Sequence, residues 1–124
     1  PSIALGLLSV GVLNLNNMRD IQNDADCGKK TLAVVLGAQK AKFYHLFIIS
    51  FALVLISRFQ YELNISSNYL NFFLIINSLG LFVHLFKVNN VSNPKEYDKY
   101  LKFLALHAFI FSVLISFYFF KIVV

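Results

Sequence analysis

An all-α, polytopic transmembrane bundle is the fold class this sequence predicts, and three observations predict it. The 124 residues are 58% hydrophobic, with 14 phenylalanines and no tryptophan, and the mean hydropathy is +0.68. Charged residues make up 14%, well below the share of about 25% from which a soluble domain builds its polar shell. The apolar residues gather into long continuous runs and do not alternate with polar ones, which excludes the strands of a membrane β-barrel.

The first apolar segment, "SIALGLLSVGVLNL" at residues 2–15, continues as a polar helix to Asp24. It is short for a full crossing because it runs into charge. The second is "AKFYHLFIISFALVLISRFQY" at 41–61, the third "YLNFFLIINSLGLFVHLFKV" at 69–88, and the fourth "YLKFLALHAFIFSVLISFYFFKIVV" at 100–124. Each of these three matches the roughly 20 residues needed to cross a hydrocarbon core about 30 Å thick. "NNVSNP" at 89–94 reads as a turn, with Pro94 marking the boundary before the next helix. The predicted helices are therefore 2–24, 41–61, 69–88 and 100–124. Pro1 lies inside an apolar run with neither a basic n-region nor a small-residue cleavage site. A C-terminal part of a longer polytopic protein is expected.

The formal net charge of +5 signals nucleic acid only when the cations share a soluble face. Here they flank apolar runs, as membrane-bordering charges do. Arg19, Lys29, Lys30, Lys40 and Lys42 fall between the first and second segments, and Lys87, Lys95, Lys99 and Lys102 around the junction of the third and fourth. The connection between the second and third has only Arg58, beside Glu62, and the C-terminal end only Lys121. Basic residues favour the cytoplasmic side, so the first and third connections face inward and both chain ends outward. The single cysteine, Cys27, excludes an internal disulfide.

One stretch keeps its charge: "NNMRDIQNDADCGKKTLAVVLG", residues 16–37. On a helix, Asp20 and Asp24 project about 40° apart, one turn along the axis. Asn16 lies a turn before Asp20 and Asn17 flanks the same face, so Leu13, Asn16, Asn17, Asp20 and Asp24 form a strip that passes from apolar to polar. The two aspartates repel by a few tenths of a kcal/mol, and each costs more where the membrane begins. A bound cation offsets both costs; interfacial solvation is the other reading of this spacing. Mg²⁺ suits such a pair, since it takes one or two carboxylates and leaves positions for water and substrate phosphates. The tail of the stretch favours the cation: Gly28 allows a tight turn, Lys29 and Lys30 bring positive charge beside the strip, and Thr31 opens a second helical reading. Carboxylates, turn and lysine are together what a diphosphate–Mg²⁺ site requires.

This stretch resembles the second Asp-rich motif of the UbiA-type intramembrane prenyltransferases. More narrowly, it is similar to the version found in the dihydroxynaphthoate prenyltransferases of menaquinone biosynthesis, N-N-x-R-D-x-x-x-D-x-x-x-G-K-x-T-L-x-x-x-L-G. The matching positions are Asn16, Asn17, Arg19, Asp20, Asp24, Gly28, Lys29, Thr31, Leu32, Leu36 and Gly37. The resemblance implies about four helices of a nine-helix fold, with Asp20 and Asp24 holding Mg²⁺. It further implies that Lys29, with Arg19, Asn16 and Asn17, contacts the substrate diphosphate, and that Asp20, Asp24 and Lys29 are catalytic. The implied substrates are a polyprenyl diphosphate and 1,4-dihydroxy-2-naphthoate. The diphosphate departs, the electron-rich ring attacks the allylic cation, and CO₂ is lost to give a demethylmenaquinone. The implied setting is a bacterial inner membrane, with the Asp-rich loop cytoplasmic, the lipid bilayer as partner and no nucleic acid.

The family's first Asp-rich motif lies in an N-terminal half outside this chain. Downstream, Glu62 is expected on the outer side, and Glu96 and Asp98 as isolated loop residues. The chain is thus expected to carry half of the metal site and not to catalyse alone. Asp26 falls off the shared face and Cys27 occupies a variable position. His45, His84 and His107 lie one per helix without ligand spacing, which favours packing or hydrogen bonding over metal. Asn71 and Asn77 are expected to face other helices. Phe72, Phe73, Phe82, Phe109 and Phe111 line either lipid, core or an isoprenoid tunnel. Within the same superfamily, hydroxybenzoate, homogentisate, haem or a glycerol phosphate is an alternative acceptor. A non-catalytic membrane subunit is the alternative from another class.

Overall fold

The computed structural model describes residues 1–63 and 68–123. Among these there is no strand, and the chain forms an all-α bundle: α1 (Ser2–Arg19), α2 (Ile21–Asp26), α3 (Leu32–Leu36), α4 (Ala38–Leu63), α5 (Asn68–Asn89) and α6 (Tyr97–Val123), with a 3₁₀ turn at Pro94–Glu96. Three helical stretches are long and apolar enough to cross a membrane, Ala38–Glu62, Tyr69–Asn89 and Pro94–Phe120. The centre of the predicted outer connection, residues 64–67, lies outside the described residues, as do Val124 and the side chain of Lys121.

The expected continuous helix 2–24 is instead two helices that meet at Asp20, whose φ of −97° and ψ of 9° leave the helical well. Asn and Asp crowd this stretch, and their side chains compete with the helix for backbone partners. The ladder nevertheless crosses the bend: Asp20 N–H donates to Asn16 O at 3.1 Å, and Asp24 N–H to Asp20 O at 2.8 Å. The second helix ends in a Schellman motif. Gly28 takes a φ of +71°, its N–H donates to Ala25 O at 3.0 Å, and Lys29 N–H donates to Asp24 O at 2.8 Å. Thr31 then caps α3, its Oγ1 accepting from Val34 N–H at 3.4 Å. The boundary foreseen at Pro94 is present, where Asn93 Oδ1 accepts from Lys95 N–H at 3.1 Å.

Four long helices close into a ring: α1 packs on α4 and α6, and α5 packs on the same two. Leu8, Leu15, Ile49, Ile56, Leu74, Leu81, Leu104 and Phe111 fill its centre. Of the phenylalanines weighed from the sequence, Phe111 belongs to the core, whereas Phe72, Phe73, Phe82 and Phe109 are exposed on the outside. Such an outer face is no liability in lipid, where apolar burial does not drive helices together and small residues and polar pairs do. Gly11 lets α4 and α6 approach α1: a Cβ there would lie 2.6 Å from Ile49 Cδ1. Gly80 lies under the His107 ring, which a Cβ would overlap.

Buried polar groups link neighbouring helices within the bundle. Asn14 Nδ2–H donates to Ala41 O at 3.0 Å, His45 Nε2 lies 3.0 Å from His84 Nε2, and Asn77 Nδ2–H donates to His107 O at 3.2 Å. His45, His84 and Asn77 thus meet neighbouring helices, as expected of polar groups within spans; Asn14 was not foreseen. Lys42 Nζ–H donates to the carbonyls of Asn89 at 3.2 Å and Val91 at 2.7 Å, capping the negative end of α5. This brings the connection before α4 and the one after α5 to the same end of the bundle, in keeping with the charge alternation.

Gly80→Ala is expected to destabilise the folded protein by about 1–3 kcal/mol through overpacking, because the new Cβ would overlap the His107 ring, which is bonded to the Phe103 carbonyl and stacked on its ring. Gly11→Ala meets the flexible tip of Ile49 and is expected to cost less. Thermal unfolding of both variants in one detergent checks the order.

Candidate functional site

The bend at Asp20 puts the last side chain of α1 and the first turn of α6 into contact. Arg19 spends four N–H groups on three residues: Nε–H donates to Asp20 Oδ1 at 2.8 Å, one Nη2–H to Asp20 Oδ2 at 2.8 Å, the other to Asn16 Oδ1 at 2.9 Å, and Nη1–H to Asp98 Oδ1 at 3.0 Å. The pairing with Asp20 is bidentate, the strong geometry for guanidinium and carboxylate. That hydrogen bonding holds the Asp20 carboxyl below its ordinary value of 3.8, against the opposing pull of desolvation, and raises the Arg19 guanidinium above its own.

Asp24 sits one turn on and is only 6% exposed. The Schellman turn folds the chain back on it, so that Lys29 Nζ–H donates to Asp24 Oδ1 at 3.2 Å. The hydrogen bond to Asp24 raises the Lys29 ammonium above its ordinary value. Buried charge needs a partner, and this turn supplies it from five residues away. Asn17 is half-buried, and Cys27 and Lys30 are exposed. Asp26 accepts from Gln22 Nε2–H at 2.9 Å on the exposed side of α2, apart from the pair, as its position off the strip implied.

The expectation that Glu96 and Asp98 are isolated in a loop is corrected. Glu96 ends the 3₁₀ turn and pairs with Lys99 at 3.2 Å. Asp98 lies in the first turn of α6 and pairs with both Arg19 and Lys102. The signal that reaches Asp98 from sequence is the charge alternation, which puts both basic connections on one side; spacing along the chain says nothing of it. Beside the network is a cavity of about 490 Å³ lined by Arg19, Asp20, Gln22, Asn23, Pro94 and Lys95, among others. Its two walls are α2 and the turn before α6.

Among the described residues, no three His, Cys, Asp or Glu side chains group as metal ligands. Two carboxylates, Asp20 and Asp24, stand a turn apart here, the first held by Arg19 and the second by Lys29. Two hard carboxylates fit Mg²⁺, which completes its shell with water and substrate phosphates.

Fold and site together define a helical membrane protein with paired carboxylates and basic side chains at one end of the bundle. Residues 1–120 match the UbiA prenyltransferase family, and the chain belongs to that family. It is 35% identical over 116 residues to a 1,4-dihydroxy-2-naphthoate octaprenyltransferase of Haemophilus influenzae, which covers 94% of this chain and 37% of that protein. It is 46% identical over 60 residues to a protein of the same description from Escherichia coli, which covers 48% of this chain and 20% of that protein. The chain thus spans well under half the length of these relatives. No solved structure gives a significant match.

Because Asp20 titrates lower in the folded protein than in the unfolded chain, its pairing stabilises the fold above the ordinary carboxyl value. That contribution is lost as pH falls through the depressed folded value. Arg19→Gln is expected to move the Asp20 midpoint up toward 3.8, read from the carboxyl-carbon chemical shift during an acid titration.

Proposed function

We propose that this chain supplies one Asp-rich half of the active site of a Mg²⁺-dependent membrane prenyltransferase. The reaction transfers a polyprenyl group from its diphosphate to 1,4-dihydroxy-2-naphthoate, with release of diphosphate and CO₂, and gives a demethylmenaquinone. The observation that carries the reading is the pair Asp20 and Asp24 on successive turns, each held by its own cation, at the end of an apolar bundle. The first Asp-rich motif, which the resemblance implies would complete the site, is not among residues 1–124. The two relatives, both 1,4-dihydroxy-2-naphthoate octaprenyltransferases, support the acceptor.

Asp20 and Asp24 would hold Mg²⁺, which when bound neutralises charge on the departing diphosphate. Lys29 is tied to Asp24 by a single bond and its side chain is 62% exposed, so its ammonium is free to turn to a phosphate oxygen. Asn16 accepts from Arg19 through Oδ1, which leaves its amide N–H₂ to donate. Arg19, with four of five N–H groups engaged, retains one for a phosphate oxygen. The apolar faces of the helices give the isoprenoid chain the lipid-like surroundings it requires. The basic residues around the site support a cytoplasmic placement of this end, in a bacterial inner membrane.

Membranes carrying the full-length gene product are supplied with dihydroxynaphthoate and a polyprenyl diphosphate, with and without Mg²⁺, and their lipids analysed by mass. A demethylmenaquinone that forms only with the metal is expected. Prenylation of hydroxybenzoate or another aromatic instead would keep the site and change the acceptor. No transfer from folded protein to any acceptor would point to a non-catalytic subunit. Asp24→Asn is expected to lower turnover by on the order of 100-fold while membrane insertion is unchanged, whereas Asp26→Asn is expected to leave turnover near wild type.

A further inference from the structure

We propose that Asp98, on the first turn of α6, is a positioning residue for the Asp-rich segment: it fixes the Arg19 guanidinium, and through it the Asp20 carboxylate, for a divalent cation. The proposal rests on the reading of Asp20 and Asp24 as the carboxylates that hold the metal.

Two of Arg19's three partners, Asn16 and Asp20, lie on its own stretch of chain and move with it. Asp98 is 79 residues away, on a helix that packs along α1. It is the anchor that ties the end of α1 to the rest of the bundle at this point. The guanidinium is planar, and its fork is gripped from two edges: Nε and Nη2 on Asp20, Nη1 on Asp98. Holding both edges fixes the plane, and so fixes where the Asp20 oxygens sit. A lysine offers one rotatable point charge and cannot do this.

Lys102 also pairs with Asp98, through Oδ2, so two cations and two carboxylates balance, and the effect of Asp98 is to orient the guanidinium.

The test uses the purified full-length protein with Mn²⁺ as the probe, its binding followed by electron paramagnetic resonance in the presence of a prenyl diphosphate. Asp98→Asn is expected to weaken Mn²⁺ binding about 10-fold, the size typical of a residue that orients a metal ligand. The Mg²⁺ concentration for half-maximal activity should rise in step, with kcat at saturating metal largely kept. Asp98→Glu should restore most of the affinity. Arg19→Lys, which also gives up the fork on Asp20, should lose at least as much, and the double variant should be no worse than Arg19→Lys alone, since the Asp98 contact is already broken in it. Wild-type Mn²⁺ affinity in Asp98→Asn, or a fall in kcat without a change in affinity, overturns the proposal. If Asp98→Asn does not fold, Asp98→Ala decides by the same measure. If Asp24→Asn binds Mn²⁺ as wild type does, the metal reading itself fails, and the proposal with it.

Discussion

The Arg19 guanidinium is the constraint on which the polar end of this bundle depends. A helix that leaves a bilayer carrying two aspartates faces repulsion between them and the cost of placing charge near hydrocarbon. One planar cation answers much of this, since it binds Asp20 at both oxygens and Asp98 from the neighbouring helix. The backbone bends where that grip is made. Beyond the bend, Asp24 is not among the partners of Arg19, and a second cation is brought to it by the turn at Gly28. Each carboxylate therefore has its own counter-charge, and the two are held differently: Asp20 by a rigid fork, Asp24 by a flexible exposed lysine.

The bundle below is organised by different forces. Its outside is as greasy as its centre, with Phe43, Phe47, Phe51, Phe82 and Phe86 all turned outward. Hydrophobic burial therefore cannot tell α4 which face belongs against α5. That information sits in a few polar atoms and missing side chains. Asn14 reaches the backbone of α4, Asn77 that of α6, and Gly11 and Gly80 let neighbours close in. Each hydrogen bond is worth about 1–2 kcal/mol at most in such surroundings, yet together with the glycines they fix rotation and register.

Composition and run length made the helical membrane class legible, and the spans fell within a few residues of their observed limits. The turn at Gly28, the helix start at Thr31 and the boundary at Pro94 were equally plain, because glycine, threonine and proline act on their own few bonds. The paired aspartates were legible as a motif. The break at Asp20 was not, since a helical period carries straight through it and the ladder bonds largely do too. Nor was the partnership of Asp98 with Arg19: no pattern along one strand of chain records what another helix brings beside it. Asn14 was hidden in the same way, a polar residue in an apolar run whose purpose depends on the Ala41 carbonyl facing it.

The histidine contact between α4 and α5 has a consequence of its own. Two imidazoles that meet Nε2 to Nε2 at 3.0 Å have room for a single hydrogen on the line between them. The rings must then be unlike tautomers, one carrying its proton on Nε2 and the other on Nδ1. Swapping the roles of donor and acceptor requires both rings to rearrange together. Two helices are thus joined by a bond with an internal direction.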